Sequence, residues 1–146
     1  MKMQMTISAA IIINPKDKKI LIIERKKPEG RLCWQFPAGK IEFNESSRHA
    51  AKRETLEETN VICRIDKLIG SQVHPDTKVK IDYWLGHFVR GELRESKREV
   101  RRIKWATLEQ MRQLITTDIY KPIYDVLLKE SIPTTKKSNL DELQVK

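Results

Sequence analysis

The segment GKIEFNESSRHAAKRETLEETNV, from Gly39 to Val61, constrains this chain more than any other. From Ser46 to Thr59 it is built mostly of good helix formers, including Ala50, Ala51, Arg53, Leu56 and the glutamates. Asn44 is placed to cap the start of a helix, with Ser46 as the alternative. Asn60 stands where the helix should stop, and Asn is second only to Gly in tolerating the left-handed C-cap conformation. Side chains three and four apart share a helical face, so Glu54, Glu57 and Glu58 are expected to form one acidic cluster. The pair Glu54 and Glu58 alone costs an exposed helix roughly 0.2–0.5 kcal/mol. Arg53 can pair with Glu57 but cannot neutralise three carboxylates. In a chain of net charge +9, this local excess of carboxylate favours a cation. Hard divalent ions such as Mg²⁺ take oxygen ligands of this kind, together with water and phosphate oxygens. The same glutamates on a plain exposed helix would be a solvated acidic face.

The rest of the chain is organised around that helix. Its 146 residues suit one hydrophobic core, expected over 1–130, with a polar tail over 131–146. Residues 4–13 and Ile20–Glu24 are apolar runs joined by the turn Asn14-Pro15-Lys16-Asp17, which predicts a hairpin. Lys26–Arg31 reads as a polar loop, and Trp34-Gln35-Phe36 as a short strand ended by Pro37-Ala38-Gly39. Val61–Ile69 and Val79–Val89 predict a second hairpin around His74-Pro75-Asp76-Thr77. Val100–Trp105 is a further strand, and Leu108–Ile115 and Ile119–Leu128 have helical spacing, with Pro122 in a first turn. This order implies an α/β fold with a mixed sheet.

Composition narrows function further. No apolar run approaches the roughly 20 residues of a membrane span, and the N-terminal run lacks a signal-peptide pattern. The expected location is therefore the cytoplasm. Cys33 and Cys63 make neither a disulfide framework nor a zinc pattern. The basic groups around Arg25-Lys26-Lys27 and from Arg94 to Lys104 suit a polyanionic partner or, more plainly, a solvated surface.

The segment Gly39–Val61 closely resembles the Nudix box. Gly39, Glu45, Arg53, Glu54, Glu57, Glu58 and Val61 occupy its positions at its spacing. Thr55 departs where an aliphatic residue is usual, and Asn60 where the final Gly is usual; neither removes a carboxylate. The preceding WQFPAGKIE, Trp34 to Glu42, is similar to the lead-in of MutT-like members. The resemblance covers about Ile7 to Leu128 and implies an α/β/α sandwich.

The resemblance also implies a chemistry. Nudix enzymes hydrolyse a nucleoside diphosphate linked to another group, so the expected activity is metal-dependent pyrophosphohydrolysis. Glu54, Glu57, Glu58 and the Gly39 carbonyl would hold Mg²⁺ or Mn²⁺. Arg53 would orient a glutamate, and Glu45 would support the site from the helix start. Glu54 is the first candidate for general base, with Glu99 or Glu95 as a further ligand or base. Replacing Glu57 or Glu58 by Gln is expected to abolish turnover and leave the fold intact. Arg25 and Lys40 are candidates to bind the diphosphate, Asp118 to read a base and Tyr120 to stack on it. Trp34, Tyr83, Trp84 and Phe88 are better core candidates than stacking surfaces. The MutT-like lead-in favours a nucleoside triphosphate, with an oxidised purine nucleotide as one option. RNA 5′ ends, nucleotide sugars and dinucleotides are the alternatives, as is a non-catalytic nucleotide sensor on the same fold. A homodimer is an open expectation.

Overall fold

In a computed structural model of the chain, residues 5–74 and 78–131 are described. The N-terminal apolar run becomes the middle of a mixed sheet. The elements follow in the order β1 (Thr6–Ile13), β2 (Ile20–Glu29), β3 (Leu32–Gln35), β4 (Ala38–Lys40), α1 (Ser47–Thr59), β5 (Ile62–Val73), β6 (Lys80–Arg90), β7 (Val100–Ala106), α2 (Leu108–Leu114) and α3 (Lys121–Ser131). Strand β1 runs parallel to β6 and antiparallel to β2 and β4. Both expected hairpins are present, β1–β2 and β5–β6. Residues 75–77 of the second connection and the tail from residue 132 onward lie outside the described residues.

Successive strand residues point to opposite faces, and β1 is apolar on both. Ala9, Ile11 and Ile13 join Ile20, Ile22, Met111, Ile123 and Leu127 on the face covered by α2 and α3. Ala10 and Ile12 join Leu21, Ala51, Val61 and Cys63 on the face covered by α1. The result is the expected α/β/α sandwich.

Strands β1 and β2 are paired only where Ile13 meets Ile20. Beyond that point β1 pairs with β4 and β6, whereas β2 pairs with β3 and β7. The sheet therefore splits into two half-sheets that diverge from a common joint. Helix α1 and the short strand β4 fill one side of this seam.

The structure differs from the sequence reading in three local features. Strand β2 continues to Glu29 through the expected polar loop, because the backbone there pairs with β3 and the charged side chains reach water. Ala38–Lys40 is a strand, not a terminator, because it docks on the open edge of β1. Asn44 does not cap α1: its φ of 60° is left-handed, whereas an N-cap needs extended backbone. Ser46 has that geometry and accepts the His49 N–H at 3.1 Å. Asn60 does end the helix with φ 65°, as its position implied. Thr55 is fully buried, and its hydroxyl donates to the Ala51 carbonyl at 2.7 Å, which offsets the cost of burying it.

Ser46→Ala should lower stability by about 1 kcal/mol in urea unfolding. Asn44→Gly should leave it unchanged or raise it by a few tenths of a kcal/mol. A loss on Asn44→Gly as large as that on Ser46→Ala would contradict the assignment of the cap.

Candidate active site

The seam opens into a cleft of about 800 Å³. Glu54 and Glu58 lie one turn apart on α1 and point into it. Glu58 is buried at 3% exposure, and one of its carboxylate oxygens accepts the Ala38 N–H at 2.9 Å. Burial pushes the Glu58 carboxyl well above the usual carboxylate range; the Ala38 N–H opposes this, and the nearby Glu54 and Glu99 reinforce it. The Glu54 carboxyl is also raised by burial, against the pull of Arg53. Strand β4 passes so close to α1 that a Cβ at Gly39 would sit 2.1 Å from the Glu54 carboxyl carbon. Only a residue without a side chain leaves that carboxylate in place.

Glu99 completes the group from the other half-sheet. Oxygens of Glu54, Glu58 and Glu99 all lie within 4.8 Å of one another. Backbone bonds hold Glu99 there. Ser96 N–H donates to the Glu58 carbonyl at 3.3 Å and Arg94 N–H to the Thr59 carbonyl at 3.0 Å, so the segment starts on the end of α1. The Glu99 carbonyl then accepts the Lys26 N–H at 2.9 Å, on β2. Among the described residues this is the one such group of three potential ligands. Its all-oxygen, partly buried donor set fits Mg²⁺ or Mn²⁺.

Glu57 is placed differently. Consecutive helix residues are about 100° apart, and Glu57 turns to solvent with its side chain 57% exposed. It accepts from Arg53 at 3.1 Å. Arg53 is the hub of this region. Its guanidinium donates twice to Glu45 (2.6 and 2.9 Å), to Glu54 (2.9 Å) and to the Lys40 carbonyl (3.1 Å). The paired guanidinium pulls the Glu45 carboxyl down to about 2.

Arg25, Lys40, Asp118 and Tyr120 all line the cleft. Arg25 is steadied by Gln35 at 3.0 Å. Lys27 and Arg98 line it as well; the two basic clusters of the sequence contain them, but no spacing singles them out. Glu95 is exposed and is not among the lining residues. The walls also include the apolar and aromatic residues Phe36, Ile81, Ile119 and the stacked pair Tyr83–Tyr120, whose ring centres are 5.5 Å apart. Tyr83 is thus a buried core residue that also forms part of the cleft wall. Trp84 and Phe88 pack on the α1 face and Trp34 on the other.

The NUDIX domain family matches residues 4–127. The protein named MutT4 in Mycobacterium tuberculosis is 31% identical over 111 residues, which are 68% of this chain and 43% of that protein. An ADP-ribose pyrophosphatase of Methanocaldococcus jannaschii is 39% identical over 61 residues, 42% of this chain and 36% of its own length. The chain therefore spans less than half of either relative. An 8-oxo-dGTP diphosphatase of Proteus vulgaris is 32% identical over 92 residues, 61% of this chain and 82% of that one. Among solved structures, a NUDIX hydrolase from Nitrosomonas europaea superimposes with a TM-score of 0.75 at 21% identity, covering 88% of this chain and 73% of that one. At that identity the likeness concerns the fold.

Two outcomes follow from the carboxylates. Glu45 has a depressed folded-state pKa, so its stabilisation is present above the ordinary carboxylate pKa of 4.5 and is lost as pH falls toward about 2. Glu45→Gln should melt about 5 °C below the parent at pH 7, with the gap closing across that window. Glu58 has the opposite sign, since a raised pKa makes its ionised form a burden at neutral pH. Without divalent ions, Glu58→Gln should melt above the parent at pH 7, and the difference should shrink as pH falls from the raised folded-state pKa toward 4.5, where both states are protonated and the ionisation burden is gone. Added Mg²⁺ should raise the melting temperature of the parent but not of Glu58→Gln.

Proposed function

The chain belongs to the Nudix family, and from that membership we propose that it is a divalent-cation-dependent pyrophosphohydrolase acting on a nucleoside triphosphate. The observation that carries this reading is the convergence of Glu54, Glu58 and Glu99 in a cleft that is also lined by Arg25, Lys27, Lys40 and Arg98 and by the stacked pair Tyr83–Tyr120. No helix among the described residues is long and apolar enough to cross a membrane.

Glu54, Glu58 and Glu99 would hold Mg²⁺ or Mn²⁺, with the Gly39 carbonyl as a further donor. A divalent ion bound there supplies Lewis-acid stabilisation of phosphate charge and a water made acidic enough to attack. Glu54 has a raised pKa and a carboxylate oriented by Arg53, which suits it to take the proton from that water. Arg25, Lys27, Lys40 and Arg98 neutralise and orient the polyphosphate chain. Arg53 stays one layer behind, with its donors used on Glu45, Glu54, Glu57 and Lys40. Glu57 therefore contributes mainly through Arg53.

The aromatic lining of the cleft suits a planar base better than a second sugar, which would need more hydrogen-bonding groups. Asp118 and Thr117 also line the cleft and offer polar contacts that would read a base edge. The Proteus vulgaris relative's name supports an oxidised guanine nucleotide as a substrate to test first. Retention of every acidic residue of the box weighs against a non-catalytic sensor.

The purified chain should be assayed with Mg²⁺ or Mn²⁺ on ordinary and oxidised nucleoside triphosphates, ADP-ribose, dinucleoside polyphosphates, nucleotide sugars and 5′-triphosphorylated RNA. Pyrophosphate release from nucleoside triphosphates is expected to exceed turnover of the other classes. Glu54→Gln and Glu58→Gln should each lower kcat by about 10³-fold, and Glu57→Gln by about tenfold. This ranking departs from the sequence expectation, in which Glu57 is a metal ligand and Glu57→Gln abolishes turnover as Glu58→Gln does. Equal losses at Glu57 and Glu58 would count against the proposed ligand set. Preferred turnover of RNA or ADP-ribose would replace the substrate assignment.

A further inference from the structure

Tyr120 enters the cleft from the segment between α2 and α3, yet its ring is held by the sheet. Its hydroxyl lies over Gly70 on β5: a Cβ at that position would be 2.6 Å from the Tyr120 oxygen and 3.0 Å from Cε2. Gly70 is also the cross-strand partner of Tyr83 on β6, next to a register shift between Leu68 and Gly70. Directly opposed residues share a face and normally touch through their side chains. Gly70 offers none, and the Tyr120 ring fills the space beside Tyr83, stacked at 5.5 Å with 21° between the planes. A glycine on an edge strand weakens it, and an aromatic ring laid over it restores packing. Gly70, Tyr83 and Tyr120 therefore form one unit, with the bare glycine as the seat of the ring.

We propose that Gly70 is a positioning residue for substrate selection: by seating Tyr120 flat against Tyr83, it sets the width of the slot that takes the planar base of a nucleotide. The inference rests on the cleft binding a nucleotide as described above. Gly70 itself touches no substrate. A side chain there would lift the ring off its seat and into the cleft, so that a large bicyclic base would lose more than a small monocyclic one. The carboxylates are held on other elements, α1 and the segment before β7, and a Cβ at Gly70 meets only Tyr120 among its three nearest atoms. A chain in which this position were merely a structural glycine would show a general loss of stability with no preference among bases.

The test compares the parent, Gly70→Ala, and Gly70→Ala combined with Tyr120→Phe. The double change removes the oxygen that meets the new methyl group most closely. Gly70→Ala should raise KM for a purine nucleoside triphosphate about five- to tenfold. The rise for a pyrimidine one should be smaller, with kcat within about twofold of the parent. The double variant should recover most of the lost purine affinity. Calorimetric binding of the corresponding nucleoside diphosphates, in each variant carrying Glu54→Gln, provides a readout independent of turnover. An unchanged purine-to-pyrimidine ratio in Gly70→Ala, or no recovery in the double variant, overturns the proposal. Absence of hydrolysis in the parent, with diphosphate binding still graded in the expected order, overturns the catalytic reading instead.

Discussion

The contacts made by one guanidinium organise the carboxylate-bearing side of the cleft. Arg53 joins the helix start through Glu45, the helix face through Glu54 and Glu57, and strand β4 through the Lys40 carbonyl. Its planar fork matches the two oxygens of Glu45 at 2.6 and 2.9 Å, a geometry that a lysine ammonium could not reproduce. The side chain is only 17% exposed, so water competes little for its donors. Loosening this hub would free the loop between β4 and α1, and with it the orientation of Glu54.

Around that hub, stability and chemistry pull in opposite directions. The fold hides Glu58 almost completely and brings Glu54 and Glu99 close to it. Such an arrangement opposes ionisation of all three. The apolar runs of β1 and β2 and the two layers of helices supply the burial that offsets this local cost. Carboxylates at odds with their surroundings are what a site for a hard cation requires, because the ion's own charge reverses the local preference.

Much of the architecture was legible in the sequence because its signals were local. The apolar run at Ile11–Ile13, the turn at Asn14-Pro15, and the helix from Ser47 to Thr59 ended by Asn60 each follow from short-range patterns. Strand β4 was not legible, since Ala38-Gly39-Lys40 has no strand character of its own and pairs only because β1 presents an open edge there. The helical spacing grouped Glu57 with Glu54 and Glu58, but the 100° between Glu57 and Glu58 sends one to solvent and the other into the core. Glu99 was suggested by resemblance; its approach to α1 depends on backbone bonds from Arg94 and Ser96 that no spacing reveals. The seating of Tyr120 on Gly70 joins residues fifty positions apart and left no mark in either local pattern.

The divided sheet gives the carboxylate group the character of a caliper. Glu54 and Glu58 ride on the helix beside one half-sheet, while the Glu99 segment starts on the end of that helix and bonds to β2 of the other half, and β1 and β2 pair only at Ile13–Ile20. Mg²⁺ prefers oxygens at about 2.0–2.1 Å and Ca²⁺ at about 2.3–2.6 Å. The jaws that would meet such ions are strands and a helix, not side chains alone. Were a divalent ion held there, discrimination between cations would depend on how far the two half-sheets stand apart, and a residue deep in the joint would tune it without touching the metal.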